Sequence, residues 1–504
     1  MPTLSKSKYT LSCQCQKALW LRQNKPSEAV VDASLQTRFA AGQTIGELAK
    51  QRFQGAVDAT VKVNGQLDIS AMIAKTQQLM AAGCEAICEA AFSCPNHYCA
   101  VDVLEKAKDG SGWIINEVKS STSYKDVYAT DVAYQRWVLE QCGVKVVGTK
   151  ILVVNSSYVR QGDLDVNNLF TVIDISAEVA NEYLKVPNQT KLALSTLSLA
   201  QEPNMPLSKN CQSPYGCAFW DYCTKHLPKP SVFNVYGGAA FSFAKKLECY
   251  HNGLWSYQNL STKSWGKIQD MQITCTLNNS CHLNKAGIKE FLGKITYPLY
   301  FLDFESMQHA VPQYDNTRPY MQLCFQYSLH YIEYDGGPLL HKAFLAPSDG
   351  KDPRRALADQ LCRDIPCVEG LCIMAYNDPF EKTRIREMAQ IYPYLHDHLM
   401  YIHDHIIDLL VPFRAGHYYL PAMGGSFSIK SVLPALFPDD PDLNYHNLSP
   451  LVQNGGDAMT IFPQMHTMEP EKEKEARQAL LDYCKLDTLA MVKIWQRLIE
   501  ILKP

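Results

Sequence analysis

The sequence predicts an α/β protein of two sheet-containing domains joined by a helical connector. Three observations carry that expectation. Tyr300-Phe301-Leu302-Asp303-Phe304-Glu305-Ser306 is an apolar strand with two acids two residues apart. The segments 100–104 and 113–119 flank the turn Lys108-Asp109-Gly110-Ser111-Gly112, so together they form a hairpin. The apolar run 371–376 precedes Asn377-Asp378-Pro379-Phe380-Glu381, a buried strand entering a helix.

The amino-terminal hairpin places chemistry on one face. Strand side chains alternate, so Glu117 and Lys119 point the same way, and the hairpin can bring Asp102 beside them. Two carboxylates can hold Mg²⁺, and a neighbouring lysine can stabilise charge on a phosphate or position water. A cross-strand salt bridge explains Glu117 and Lys119 equally well in isolation. A helix bearing Tyr134-Gln135-Arg136-Trp137 follows, and another spans Ala41-Gly42-Gln43-Thr44-Ile45-Gly46-Glu47.

The chain has 18 cysteines, no secretory signal and no apolar run long enough to cross a bilayer. That composition fits a reducing cytoplasm, where clustered cysteines are metal ligands more often than disulfides. Cys211, Cys217 and Cys223 recur every six residues or so in a Pro/Gly/aromatic loop, far in sequence from Cys15 in Cys15-Gln16-Lys17-Ala18-Leu19-Trp20-Leu21. Two other groups are set aside. Cys84 and Cys88 read as one face of a helix, with Cys94, His97 and Cys99 leading into the hairpin. His396, His398, His403 and His405 lie in a connecting region and read as solvated.

In the carboxy-terminal half, Asp303 and Glu305 share a strand face opposite Leu302 and Phe304. Adjacent carboxylates repel unless a cation lies between them, and a divalent metal is the natural partner. Asp378 suits a helix N-cap and Pro379 the first turn, which puts Glu381 near the strand end. Tyr483 and Asp487 are four apart on a long amphipathic helix and share a face. Each pattern has a plainer reading, respectively an edge strand, a capping box and a charged helix surface.

Taken together, Asp303, Glu305, Asn377-x-x-Phe380-Glu381 and Tyr483-x-x-x-Asp487 resemble the tyrosine-bearing DEDD (DEDDy) exonucleases of the RNase H-like fold. Ile407-Asp408-Leu409-Leu410 and Ser428-Ile429-Lys430-Ser431 are similar to that family's intervening segments; the departure is Glu381, where most members carry Asp. The resemblance covers about residues 294–504 and implies two metals on four carboxylates, an attacking water oriented by Tyr483, and 3′→5′ removal of nucleotides. Asp102, Glu117, Lys119 and Gln135 resemble the RecB-type PD-(D/E)XK nucleases of restriction-endonuclease-like fold. By that likeness Gln135 supports the site and Glu47 is a further metal-site residue. Cys15, Cys211, Cys217 and Cys223 resemble the iron–sulfur clamp of RecB-like nucleases such as the CRISPR-associated and AddB-type enzymes, which implies a [4Fe–4S] cluster; a four-cysteine zinc site is the rival.

The whole chain thus resembles a bacterial fusion of these two nuclease modules. The expected domains are 1–228, a 229–293 helical connector and 294–504. The implied function is a Mg²⁺- or Mn²⁺-dependent nuclease with two sites, acting on DNA in repair, recombination or defence, with no membrane partner. RNA processing, or end-binding by a chain with one inactive site, are the alternatives. A formal net charge of −3 gives no global pull toward nucleic acid, so binding must use local patches.

Overall fold

The computed structural model describes residues 3–30, 33–238 and 240–503, with only the backbone described over residues 33–40. It is a mixed α/β protein of two compact units, one formed by residues 1–226 and 309–321, the other by residues 227–308 and 322–504.

Among the described residues, the first unit holds a seven-stranded mixed sheet. Its order is Val57–Asp58, Ala86–Cys94, His97–Lys106, Trp113–Lys119, Val146–Val154, Phe170–Asp174, with Leu4–Ser5 pairing parallel to His97–Lys106. The hairpin forms as the turn signals predict, with Val103 opposite Asn116 and Lys106 opposite Trp113. Helix Asp126–Gln141 then crosses over to the parallel strand Val146–Val154, as parallel pairing requires. Val132, Val138 and Leu139 of that helix pack on Ile87, Val101, Ile115 and Ile151 of the sheet. The segment holding Cys84 and Cys88 is corrected here. Ala86–Cys94 is a strand, not a helix, and Cys88 pairs with Val103 in the sheet core.

The second unit holds a five-stranded sheet in the order Leu340–Leu345, Leu323–Ile332, Leu299–Met307, Cys372–Ala375, Ile406–Asp408. The first three strands are antiparallel and the last two join in parallel. The fifth strand was not legible in the sequence because three residues are too few for alternation to register. One face of the Leu299–Met307 strand buries Tyr300, Leu302 and Phe304 against helices Arg354–Asp364, Pro379–Ile391 and His396–Asp404. The opposite face meets the helix Pro470–Leu502, where Phe301 contacts Trp495. A sheet covered on both faces has apolar strands nearly throughout, so any acid on it is drawn out of water.

Residues 229–293 cluster with the second unit. Val232, Phe241, Tyr257, Leu260 and Ile273 make a small core there, and His282–Leu283 pairs with Tyr418–Tyr419. Residues 309–321 belong to the first unit, where Arg160 donates to the carbonyls of Pro312 and Gln313 and Ala310 packs near Leu152 and Val154.

Candidate active sites

In the first unit, Glu117 stands at the centre of a polar cluster and is buried. Its Oε1 accepts from Lys119 Nζ and from Lys6 Nζ, both at 2.8 Å, and its Oε2 accepts from Gln135 Nε2 at 2.7 Å. Lys119 also bonds Asp131 Oδ2 at 2.6 Å and lies over the Tyr128 ring. Asp102 accepts the Val118 backbone N–H at 2.7 Å, which ties the hairpin strands together at the acids. Four residues singled out from sequence therefore meet: Asp102, Glu117, Lys119 and Gln135.

Electrostatics divides the two acids. Burial opposes charge on Glu117, but Lys119 and Lys6 outweigh it and hold the carboxyl well below the usual range. Burial, then the neighbouring Glu117, push Asp102 up to about 7.

Glu47 does not join this group. Its side chain is 71% exposed and bonds Lys50 at 2.8 Å, and Lys50 also reaches Asp58 and Glu89. Helical spacing puts residue 50 one turn beyond residue 47, so the local pair wins over a distant one. Glu89 interrupts its strand with a left-handed φ of 53°, between the pairs Cys88–Val103 and Ala90–Val101. The break leaves Asp102 opposite an irregular backbone, a kind of strain that clusters at functional sites. Lys6 and Asp131 escaped the sequence reading. Asp131 had a signal, being one helical turn before Gln135; Lys6 had none.

Cys15 lies between helices Lys6–Gln14 and Gln16–Asn24 and packs with Cys217, Cys223, Trp20 and Phe219. The loop is stitched to the first helix by Gln14, which donates to the carbonyls of Asn210 and Tyr215 at 2.8 Å each. Burial raises the thiols of Cys211 and Cys217, and raises Cys223 to about 11, with Cys15 adding to each. Four thiols thus come together from residues almost two hundred apart. Cys13 faces instead the sheet core beside Tyr9.

In the second unit, Asp303, Glu305, Tyr483 and Asp487 gather between the sheet and the Pro470–Leu502 helix, and Glu381, in the first turn of the Pro379–Ile391 helix, is near enough to raise Asp303 and Glu305. Glu305, Glu381, Tyr483 and Asp487 are buried. Asp303, Glu305 and the Cys484 thiol lie close enough for one metal ion, with their ligand atoms within 4.8 Å of one another. Asp487 accepts from the Tyr445 hydroxyl at 2.6 Å and from Tyr483, which explains why burial lifts it only to about 6. Asp303 is raised well above the usual range by burial, then by Asp487, Glu305 and Glu381. Glu305 is raised likewise, with Lys430 pulling against the shift. Glu381 sits at about 8, mainly because it is buried, and its Oε2 has no hydrogen-bond partner among the described residues.

The local causes are visible. Pro379 starts the helix carrying Glu381. Asp378 does not cap it, because its carboxylate bonds Lys382 at 2.6 Å and its backbone is already helical. The turn is held instead by Asp408, whose Oδ1 accepts the N–H of Asn377, a residue at φ 68°. Lys430 lies 5.1 Å from the ring centres of both Tyr445 and Tyr483. Tyr445 and Cys484 complete a site whose other members the sequence reading named, Asp408 and Lys430 among its intervening segments.

The groups set aside in the sequence serve other ends. His398 and His405 bond backbone carbonyls of Ile365 and Tyr401, and His403 pairs with Asp404. No helix among the described residues is long and apolar enough to cross a membrane.

With this geometry in view, known proteins place the chain only in outline. Residues 300–428 match the profile of a domain of unknown function (DUF2779). The matched stretch spans the Asp303, Glu305 and Glu381 segments and stops before Tyr483. The chain is also 27% identical over 250 residues to the uncharacterized protein UU173 of Ureaplasma parvum serovar 3, covering 43% of this chain. It spans about a third of that relative's length. No solved structure matches.

Proposed function

We propose that this protein is a divalent-metal-dependent nuclease with two active sites, acting on DNA. The observation that carries the reading is the second-unit cluster. Four carboxylates converge on a sheet buried on both faces, and burial raises each of them. Taking a carboxylate out of water costs several kcal/mol, which a bound cation offsets. The donor set fits such an ion, since Glu381 carries an unpartnered buried oxygen and Asp303 and Glu305 present ligand atoms side by side. Asp303, Glu305, Glu381 and Asp487 would hold Mg²⁺ or Mn²⁺, which supplies an activated water and neutralises phosphate charge. Tyr483 donates to Asp487 and so fixes one ligand, and by the likeness to DEDDy enzymes it would orient the attacking water. The sheet order, with three antiparallel strands and two parallel ones, supports the likeness to DEDDy exonucleases of RNase H-like fold and hence a 3′→5′ polarity.

The first-unit site supports a second nuclease of PD-(D/E)XK type, with Asp102 and Glu117 as metal ligands, Lys119 toward the phosphate and Gln135 holding Glu117. The clamp of Cys15, Cys211, Cys217 and Cys223 fits a [4Fe–4S] cluster. Such a cluster belongs to a reducing compartment such as the cytoplasm.

Purified protein incubated with end-labelled single- and double-stranded DNA and RNA, with Mn²⁺ or with EDTA, tests the whole reading. Metal-dependent shortening of DNA from 3′ ends, abolished by Asp303→Ala, is the expected result. Preferential loss of the RNA label favours RNA processing, and binding without cleavage in every lane overturns the enzyme.

A further inference from the structure

The Lys6 ammonium is placed where a cation belongs. It reaches Glu117 Oε1 at 2.8 Å from the first turn of the Lys6–Gln14 helix. A lysine there faces the positive end of the helix dipole, and that turn has no acid of its own to offset it. The backbone beneath it is fixed, because Leu4–Ser5 pairs with His97–Tyr98 and Leu4 accepts from the Tyr134 hydroxyl. The charge of Lys6 is held by Glu117, Asp131 and Asp102, the acids of the site itself.

The two lysines on Glu117 are not equivalent. Lys119 is shared with Asp131 and seated over Tyr128, so it has a place to stay when Glu117 changes partners. Gln135 is fully buried on the other carboxylate oxygen. Lys6 bonds Glu117 alone among the described residues, and its side chain is 26% exposed on a flexible four-carbon stem. Every oxygen of Glu117 is thus occupied, and Lys6 is the donor free to leave.

We infer that Lys6 is the resident counter-ion of the first-unit carboxylates, and that a divalent metal enters by displacing it from Glu117 toward solvent. Lys6 is then a positioning residue that keeps the empty site ordered and weakens its metal affinity. The inference rests on the reading of Asp102 and Glu117 as metal ligands, but not on what the loaded site cleaves.

The test is Mn²⁺ binding to the full chain, followed by the electron paramagnetic resonance signal of free ion, in an Asp303→Asn/Asp487→Asn background that disables the other carboxylate cluster. Lys6→Met should tighten Mn²⁺ binding at least about tenfold, a change discounted for the partial exposure of the lysine. Lys6→Arg keeps the charge and grips a carboxylate with two donors, so it should show no gain. Adding Glu117→Gln to Lys6→Met should remove the tightened binding. Thermal melts establish that each variant is folded, and Lys6→Arg carries the comparison if Lys6→Met is not, with tighter binding in Lys6→Arg counting against the inference. Unchanged or weaker binding in Lys6→Met overturns the displacement. No Mn²⁺ bound here in either protein overturns the metal ligands with it. Tighter Mn²⁺ binding without DNA cleavage leaves Lys6 as inferred and removes the nuclease reading for this site.

Discussion

The two carboxylate clusters solve the same electrostatic problem in opposite ways. In the first unit, two lysines and a glutamine saturate Glu117, whose charge is stabilised by the protein itself. In the second, burial raises all four acids, Asp487 and Glu381 add to the rise of Asp303 and Glu305, and the Cys484 thiol, the tyrosine hydroxyls and Lys430 pull against it. The first site holds lysines against its central acid, whereas the second keeps its acids with little cationic charge beside them. The difference teaches that a buried acid is not in itself a metal site; what matters is which positive charge the fold has already supplied.

The largest expected effect bears on catalysis. Asp303→Ala should lower 3′→5′ digestion by roughly three orders of magnitude, in line with loss of metal-borne charge stabilisation, while near-native circular dichroism persists. Lys119→Ala should instead remove the activity of the first unit and leave the Asp303-dependent one. Identical residual patterns on 3′- and 5′-labelled substrates in both variants would collapse the two sites into one.

Stability breaks the comparison more sharply, because the same kind of substitution should have opposite signs. Glu117→Gln leaves Lys6 and Lys119 facing a neutral amide, so the first unit should lose about 3–5 kcal/mol in denaturant melts. Asp303→Asn removes a buried acid opposed by Asp487, Glu305 and Glu381, so EDTA-treated protein should gain about 1 kcal/mol in the second unit. If both substitutions destabilise alike, the distinction between the sites fails.

Acidity sharpens it further. Glu381 at about 8 and Asp487 at about 6 are raised above their unfolded values, so each binds its proton more tightly in the folded state. Their contribution is fully present below the ordinary carboxylate range and is lost as pH rises through about 6 and then 8. Glu117 is depressed, so its contribution is present above the ordinary range and lost on acidification. Hydrogen exchange on metal-free protein should therefore show the second unit loosening between pH 5 and pH 8.5. Saturating Mn²⁺ should reverse that trend, since ions compete with those protons.

The smallest effects concern supporting groups. Tyr483→Phe should cost about tenfold in rate, because the carboxylates remain and one positioning hydroxyl is lost. Cys217→Ala should remove a broad absorbance near 400 nm from anaerobically purified protein and promote aggregation. The loop would then no longer hold Phe219, which is buried against Trp20.

Much of this was legible where chemistry is local. Asp303 and Glu305 on one strand face, Glu381 in a first helical turn and Tyr483 one turn from Asp487 all follow from periodicities of two and 3.6 residues. Glu47 shows the limit of that logic. A plausible acid on the right helix was taken by a lysine three residues away and a cluster on the next strands. The helical reading of Cys84 and Cys88 failed for a similar reason: a four-residue spacing in a short apolar run fits a strand as readily as a helix.

What the sequence determined by itself was the inventory: which strands carry acids, which helices carry their partners, and which cysteines recur. Those depend on alternation, capping and turn chemistry, all fixed within a few residues. Only the tertiary structure decided charge balance. Lys6 meets Glu117 across more than a hundred residues, and Tyr445 meets Asp487 across about forty, because strand pairing and helix packing bring their backbones together. No local pattern encodes such pairs, since a lysine's charge acts through space while periodicity acts along the chain.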